Sequence, residues 1–382
     1  MMTTLPLSRG ASSAAGGPSR QLYMLLREAP DRAASTAYLQ RRLAEAAALP
    51  PAWRATLADL EEWLAARTRN RAEEFRQYQA ARLEGAPRRH FATLAQARRF
   101  LCVQAPSLLA EGAWLHCVLD HWREAAYMPL VKLYLDYLGK GIPAANQVAQ
   151  TRQLLAVQAC SNWQDLEDSG FVQGAIRLAL SCAGDHYLPE LLGYQLSVAE
   201  QPAALPSVLH ELAELGIVLA PPPAADETIL NVLRAMLGPP QDAPPLMQRV
   251  ELGYALGRIG LQTVPATPED GAPQDPPAAG SAGIAAMFAP PASAQATEPG
   301  PGTDAAASIA APRSILRHNF PADEHAWETI GSELGLLEAQ IANCGSKAEA
   351  MTMLARHMGP AVHHQPLGLM AARVYGQLFD LA

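Results

Sequence analysis

A chain of 382 residues, 49% of them hydrophobic, has room for one large domain or two and enough apolar side chains for a sizeable core, which excludes a wholly disordered protein. Its 37 acidic residues outnumber 29 basic ones for a formal charge of −8, and the arginines are scattered, so no basic stripe for a nucleic-acid backbone is expected. The first twenty residues lack the apolar centre of a secretory leader and no window reaches the ~18 uninterrupted apolar residues of a membrane span, so the expectation is a cytoplasmic chain without a membrane partner.

Ala, Leu, Glu, Gln and Arg dominate, and strand-length runs of Val, Ile and Thr are missing, which predicts an all-α fold. Residues 1–18, rich in Ser, Gly and Ala, read as a flexible leader. Helical periodicity starts near Gln21, where Leu22, Leu25 and Leu26 share a face, and continues through Leu39, Leu43 and Ala46. Pro51 is expected to open a long helix that runs to about Arg82 and stops at Gly85 and Pro87. From Ala95 to Leu219 the chain is more apolar, with helices expected near 95–110, 112–138, 144–160, 171–182, 188–201 and 206–215. The breaks are Gly139-Lys140-Gly141-Ile142-Pro143, Ser169-Gly170, Gly184-Asp185, and Gly216 followed by three prolines. Together, residues 19–263 are expected to form one helical bundle.

Residues 264–312 hold ten prolines and no Lys or Arg, a composition with too little to bury to offset its ordering entropy, and they read as a disordered Pro/Ala linker. Helical pattern returns over 313–382, where Trp327, Ile330, Leu334 and Leu337 form one stripe and Met351, Leu354 and Met358 begin another; this segment is expected to pack on the bundle. The five cysteines, Cys102, Cys117, Cys160, Cys182 and Cys344, make no C-x-x-C pair and are expected to be buried thiols with no chemistry. No phosphate-binding loop, dinucleotide fingerprint or nucleophile elbow is present.

Gly112-Ala113-Trp114-Leu115, then Leu135-Asp136-Tyr137-Leu138-Gly139-Lys140-Gly141 and Asn146-Gln147, form one block. Tyr187-Leu188-Pro189-Glu190-Leu191-Leu192-Gly193-Tyr194, followed by Glu214-Leu215-Gly216-Ile217, forms another. Both blocks resemble the iron-containing redox enzymes of haem-oxygenase-like fold, with the family-like core over about 95–220 and a weaker match around Ala355, Arg356, His363, His364 and Gly368. The resemblance implies a bundle whose inward Glu, His and Asp side chains hold one or two irons that activate dioxygen for oxidation of small amines or acids.

Residue by residue, that ligand set is depleted. The family's Glu falls on Tyr137, its His on Gln147 and a further Glu on Ala199, and its His-x-x-x-Asp-x-x-His element is replaced by the proline tract after Leu219. Glu200 is a weak substitute that helical phase turns off its stripe. His116, Asp120 and Glu124, four residues apart, are expected to face solvent, and His357, His363 and His364, with His318 and His325, match no helix-based ligand spacing. No metal site and no cofactor are therefore expected, iron being required only if the chain is an oxidase with unconventional ligands. The expected function is a member of that family that has lost its ligands and acts as a binding or scaffold partner, beside an active oxidase or toward a small molecule. The alternatives are that oxidase or a helical protein-interaction module. Tyr137, Gln147 and Gln195, each on the more apolar stripe of its helix, are expected to meet in a polar pocket.

Overall fold

The computed structural model describes residues 17–53, 56–237, 243–261, 316–317, 320 and 323–380. The whole expected linker, and all but the end of the expected leader, lie outside them. The described chain is all-helical, with no strand. In order the α-helices are α1 (Pro18–Glu28), α2 (Arg32–Ala46), α3 (Leu57–Leu83), α4 (Leu94–Leu108), α5 (Met128–Tyr137), α6 (Gln147–Val157), α7 (Val172–Ala183), α8 (Leu188–Val198), α9 (Pro206–Glu214), α10 (Asp226–Met236), α11 (Ala243–Leu256), α12 (Glu324–Asn343), α13 (Lys347–His357) and α14 (Pro366–Asp380).

Their starts follow from local chemistry. Asp31, Thr56, Asn146, Asp323 and Ser346 each accept a backbone N–H with the side chain at an N-cap, and Thr93 with Gln96 closes a reciprocal capping box. The start of α1 is capped from far along the chain, by Asp168 Oδ1, which accepts from the backbone N–H of Ser19 and Arg20 at 2.8 and 2.9 Å.

Two helices carry no solvent face. Every residue of α8 is buried, and in α7 every residue but Cys182, so these two form the centre of the molecule. Around them stand α1, α2 and α4 against α7, and α10 and α11 against α8. The C-terminal helices pack back on this body: the Tyr134 hydroxyl donates to the Met358 carbonyl at 2.6 Å, the Tyr375 hydroxyl to the Leu119 carbonyl at 3.2 Å, and α14 lies against the Gly139–Gly141 turn.

Three sequence expectations are corrected. The single helix expected over 112–138 is a 3-10 helix, Ala113–His121, followed by α5. Gly112 has φ +75° and Pro129 sits in the first turn of α5, so the chain changes course at both places. The helix expected over 144–160 is only Gln147–Val157, because Asn146 is its cap rather than part of its body. Cys102 and Cys160, expected as unpaired thiols, form a disulfide with Cα atoms 5.3 Å apart; they are separated by 58 residues, and only the packing of α4 beside the turn after α6 brings them together.

The α8–α11 pair shows why Pro-Glu-x-x-Gly-Tyr reads as it does. Pro189 starts the helix, Glu190 makes a two-pronged ion pair with Arg249 (2.7 Å at both contacts), and Gly193 lets α11 approach so closely that a Cβ there would lie 1.7 Å from the Val250 carbonyl oxygen. Gly253 is the reciprocal contact, where a Cβ would lie 1.9 Å from the Glu190 carbonyl oxygen. A Cβ at Gly331, within α12, would meet nothing within 4 Å. Gly193→Ala should therefore destabilise the protein by about 2 to 3 kcal/mol or more through backbone displacement, while Gly331→Ala stabilises it by about 0.5 to 1 kcal/mol through helix propensity; urea unfolding midpoints of the two variants check the contrast.

Candidate functional site

The centre of α7 is an apolar run interrupted by Arg177, which is 2% exposed. A guanidinium removed from water has to be paired and hydrogen-bonded, because the effective desolvation penalty is several kcal/mol per ion. Five groups from three directions meet that need. Glu111, in the turn after α4, ion-pairs with Nη1 through Oε2, and Nη1 also donates to the Ser107 carbonyl at 2.8 Å. Nε donates to the Tyr194 hydroxyl of α8 at 2.9 Å, and Nη2 donates to Gln201 Oε1. The cation also lies 4.8 Å from the centroid of the Trp114 ring.

The network then spreads in two directions. Tyr194 donates its hydroxyl proton to Gln173 Oε1 at 2.8 Å, and Gln173 Nε2 donates to the carbonyls of Gly257 and Ile259, which ties the end of α11 to α7. Trp114 Nε1 donates to Gln195 Oε1 at 2.9 Å, and Gln195 Nε2 donates to the Tyr137 hydroxyl at 3.1 Å. Trp114 stands edge-on to both Tyr137 and Tyr194, with centroids 5.5 and 5.3 Å apart. Tyr137 and Gln195 thus meet, joined by Trp114 rather than by Gln147.

Gln147 lies elsewhere. It is the first residue of α6, half-buried, and its Nε2 donates to the Pro221 carbonyl at 3.0 Å. The fully buried neighbour is Asn146, whose side chain caps α6 at Ala149 N (2.9 Å) and reaches the Leu138 carbonyl at 3.3 Å. The expected three-residue pocket is corrected on this point: a helix start two or three residues later than its periodicity suggests turns the amide out of the interior.

A narrow cavity of about 30 Å³ leads to the Arg177 network. Its lining includes Ser107, Glu111, Gln147, Arg177, Gln201 and Pro222, so the proline tract after Leu219 closes it. The volume suits a few water-sized groups at most. Glu111 Oε1 is buried with no hydrogen-bond partner among the described residues. Burial pushes the Glu111 carboxyl above its usual range against the pull of Arg177, while Arg177, which burial alone would weaken as a base, is held charged by Glu111 and Tyr194. Burial likewise raises the Tyr137 and Tyr194 hydroxyls, which stay protonated.

The remaining candidates are dispersed. Ala199 is the cap residue that ends α8. Glu200 points away from the interior network, accepting from the Tyr254 hydroxyl and lying 3.3 Å from Arg67 and 3.5 Å from Arg71. His116 is half-buried, and its Nε2 is 3.0 Å from the Ala355 carbonyl, contrary to the expected solvent face. In a 3-10 helix residues three apart eclipse, so His116 shares a side with buried Ala113 and Leu119 instead of with Asp120 and Glu124. Asp120 is exposed, and Glu124 pairs at 2.7 Å with His121. His363 is buried beside Asn146 at 3.3 Å, His364 stands edge-on to it, His325 is exposed near Glu328, and His318 lies outside the described residues. Among the described residues, no three His, Cys, Asp or Glu side chains are placed to hold a metal ion.

Sequence reasoning missed Arg177, Glu111, Tyr194, Gln173 and Gln201. The signal was available in one of them: an arginine amid Gly174, Ala175, Ile176, Leu178, Ala179 and Leu180 has no polar face to occupy and must find its partners inside. Compared with family models, with curated proteins and with solved structures, the chain matches none.

Burial lowers the pKa of five described histidines, His90, His116, His357, His363 and His364, the last pushed down to about 4 by burial and then by Arg152 and Arg27. Unfolded histidine protonates near pH ~6.5, so between that pH and the folded values the unfolded chain binds more protons and stability declines as the pH is lowered. His364→Gln should reduce the loss between pH 7 and pH 5 by on the order of 2 kcal/mol relative to the parent chain, read from urea unfolding at the two pH values. The comparison between variants cancels the opposite contribution of Glu111, whose raised pKa makes stability fall as pH rises through its titration.

Proposed function

We propose that this chain is a non-catalytic binding or scaffold protein built on a haem-oxygenase-like helical plan, its interior occupied by a hydrogen-bonded side-chain network where the iron oxidases hold metal ligands. The observation that carries the reading is Tyr137. On the resemblance it falls where the family has its first carboxylate ligand, and its hydroxyl is bonded to Gln195 at 3.1 Å inside a cluster with Trp114. The other positions that the resemblance singles out support it: Gln147 is bonded to a backbone carbonyl in the proline tract, Ala199 has no side-chain donor, and Glu200 is engaged by arginines. The residues present therefore do not fit iron. Open-site oxygen chemistry needs carboxylate oxygens and imidazoles converging from several helices, and here the imidazoles of His116 and His363 face a carbonyl and an amide.

The same reading includes an active oxidase as a protein partner, a small polar molecule at the Glu111 cavity, and a cytoplasmic setting. No helix among the described residues is long and apolar enough to cross a membrane. After anaerobic loading with ferrous iron and gel filtration, the protein should carry well under one iron per chain by elemental analysis and show no ligand-to-metal absorption band. One tightly held iron per chain, with oxygen-dependent turnover of an amine or acid, would overturn the proposal.

A further inference from the structure

The turn that follows α6 forms one side of a groove of about 300 Å³, with Leu109, Leu155, Ala156 and Trp163 as apolar walls and Arg27 of α1 and Arg152 of α6 as its charged residues. The Arg27 guanidinium lies over two aromatic rings, 5.2 Å from the Trp163 centroid and 5.7 Å from that of Tyr23. Neither arginine is ion-paired with a carboxylate among the described residues, although the chain as a whole has 37 acidic residues against 29 basic ones. The two cations are close enough to feel each other: after burial, Arg27 is the main influence lowering the Arg152 pKa, and both arginines help keep His364 neutral. Like charges gathered on a partly apolar surface with no counter-ion cost energy that an anion would recover.

The groove's backbone is also held in an uncommon shape. Ala159 has φ +54°, the left-handed region that costs a residue with a Cβ roughly 1 to 2 kcal/mol, and the next residue, Cys160, is tied to α4 through Cys102. Such strain persists where the surroundings over-determine it, and Ala159 and Cys160 both line the groove.

We propose that this groove binds a small organic anion, a carboxylate on an apolar body, with its charge between Arg27 and Arg152 and its body against Leu155, Ala156 and Trp163. Arginine forks match a carboxylate in two-pronged geometry, and the volume is at the small end of ligand pockets, suited to a molecule the size of an aromatic acid. Inorganic phosphate would satisfy the charge but leave the apolar walls unused. The groove shares no lining residue with the Arg177 cavity, so the inference stands whether or not the function proposed above is correct.

The test is calorimetric titration of the full chain with benzoate, with benzamide as its neutral counterpart, and with inorganic phosphate. Benzoate should bind saturably and about tenfold or more tighter than either of the others. Arg152 is exposed, so Arg152→Gln should fold normally, keep the parent unfolding midpoint, and weaken benzoate by about tenfold; Arg27→Lys, which keeps the charge but loses the planar fork, should also weaken it. Benzoate binding no better than benzamide, or undiminished in Arg152→Gln, would overturn the site, and phosphate binding as tightly as benzoate would overturn its assignment to an organic anion.

Discussion

The structure depends on the burial of one guanidinium. Arg177 lies in a helix with almost no solvent face, and an unpaired charge there would cost several kcal/mol of a total stability that for most domains is only about 5 to 15 kcal/mol. Its partners are therefore constrained in position. Glu111 fixes the turn at the end of α4, Trp114 the 3-10 helix that follows, Tyr194 the rotation of α8, and Gln201 the loop beyond it. Tyr194 and Gln173 extend the constraint to the end of α11. Each element also buries apolar surface, but apolar contact tolerates small rotations, and a directional bond to a buried cation does not.

That arrangement bears directly on function. Tyr137 and Gln195, two of the three residues expected in one polar pocket, are bonded to each other and through Trp114 to the same aromatic cluster that covers Arg177. Tyr137, Gln195 and Trp114 are neutral and hydrogen-bonded, whereas Glu111 Oε1, at the charged centre of the same network, has no partner among the described residues. The interior network thus largely satisfies itself, with a cavity of about 30 Å³ beside it, while the groove next to the Cys102–Cys160 disulfide carries Arg27 and Arg152.

Much of the fold was legible in the sequence because helical periodicity and punctuation are local. Of the stripe Trp327, Ile330, Leu334 and Leu337, all but the half-buried Ile330 are buried as its spacing requires, and so are Met351, Leu354 and Met358. What failed was whatever depended on the pitch of one turn or on distant contacts. A 100° step places His116 toward solvent, and the 3-10 geometry of Ala113–His121 does not follow that step. Periodicity turns Gln147 inward, whereas its neighbour Asn146 caps the helix and is the buried one. The disulfide joins cysteines 58 residues apart and has no local signature. Of the site, the Tyr137–Gln195 contact was legible from helical phase, whereas the ion pair at its centre required knowing that α7 has no outside.

The most direct test is a double-mutant cycle on the central pair, with Arg177→Met, Glu111→Leu and the double variant unfolded in urea. If the network is organised by this ion pair, Arg177→Met alone costs about 3 to 5 kcal/mol by stranding the Glu111 carboxylate, and adding Glu111→Leu restores much of that loss. Two single losses that simply add in the double variant would contradict the account, since Arg177 and Glu111 would then be stabilised by separate surroundings rather than by each other.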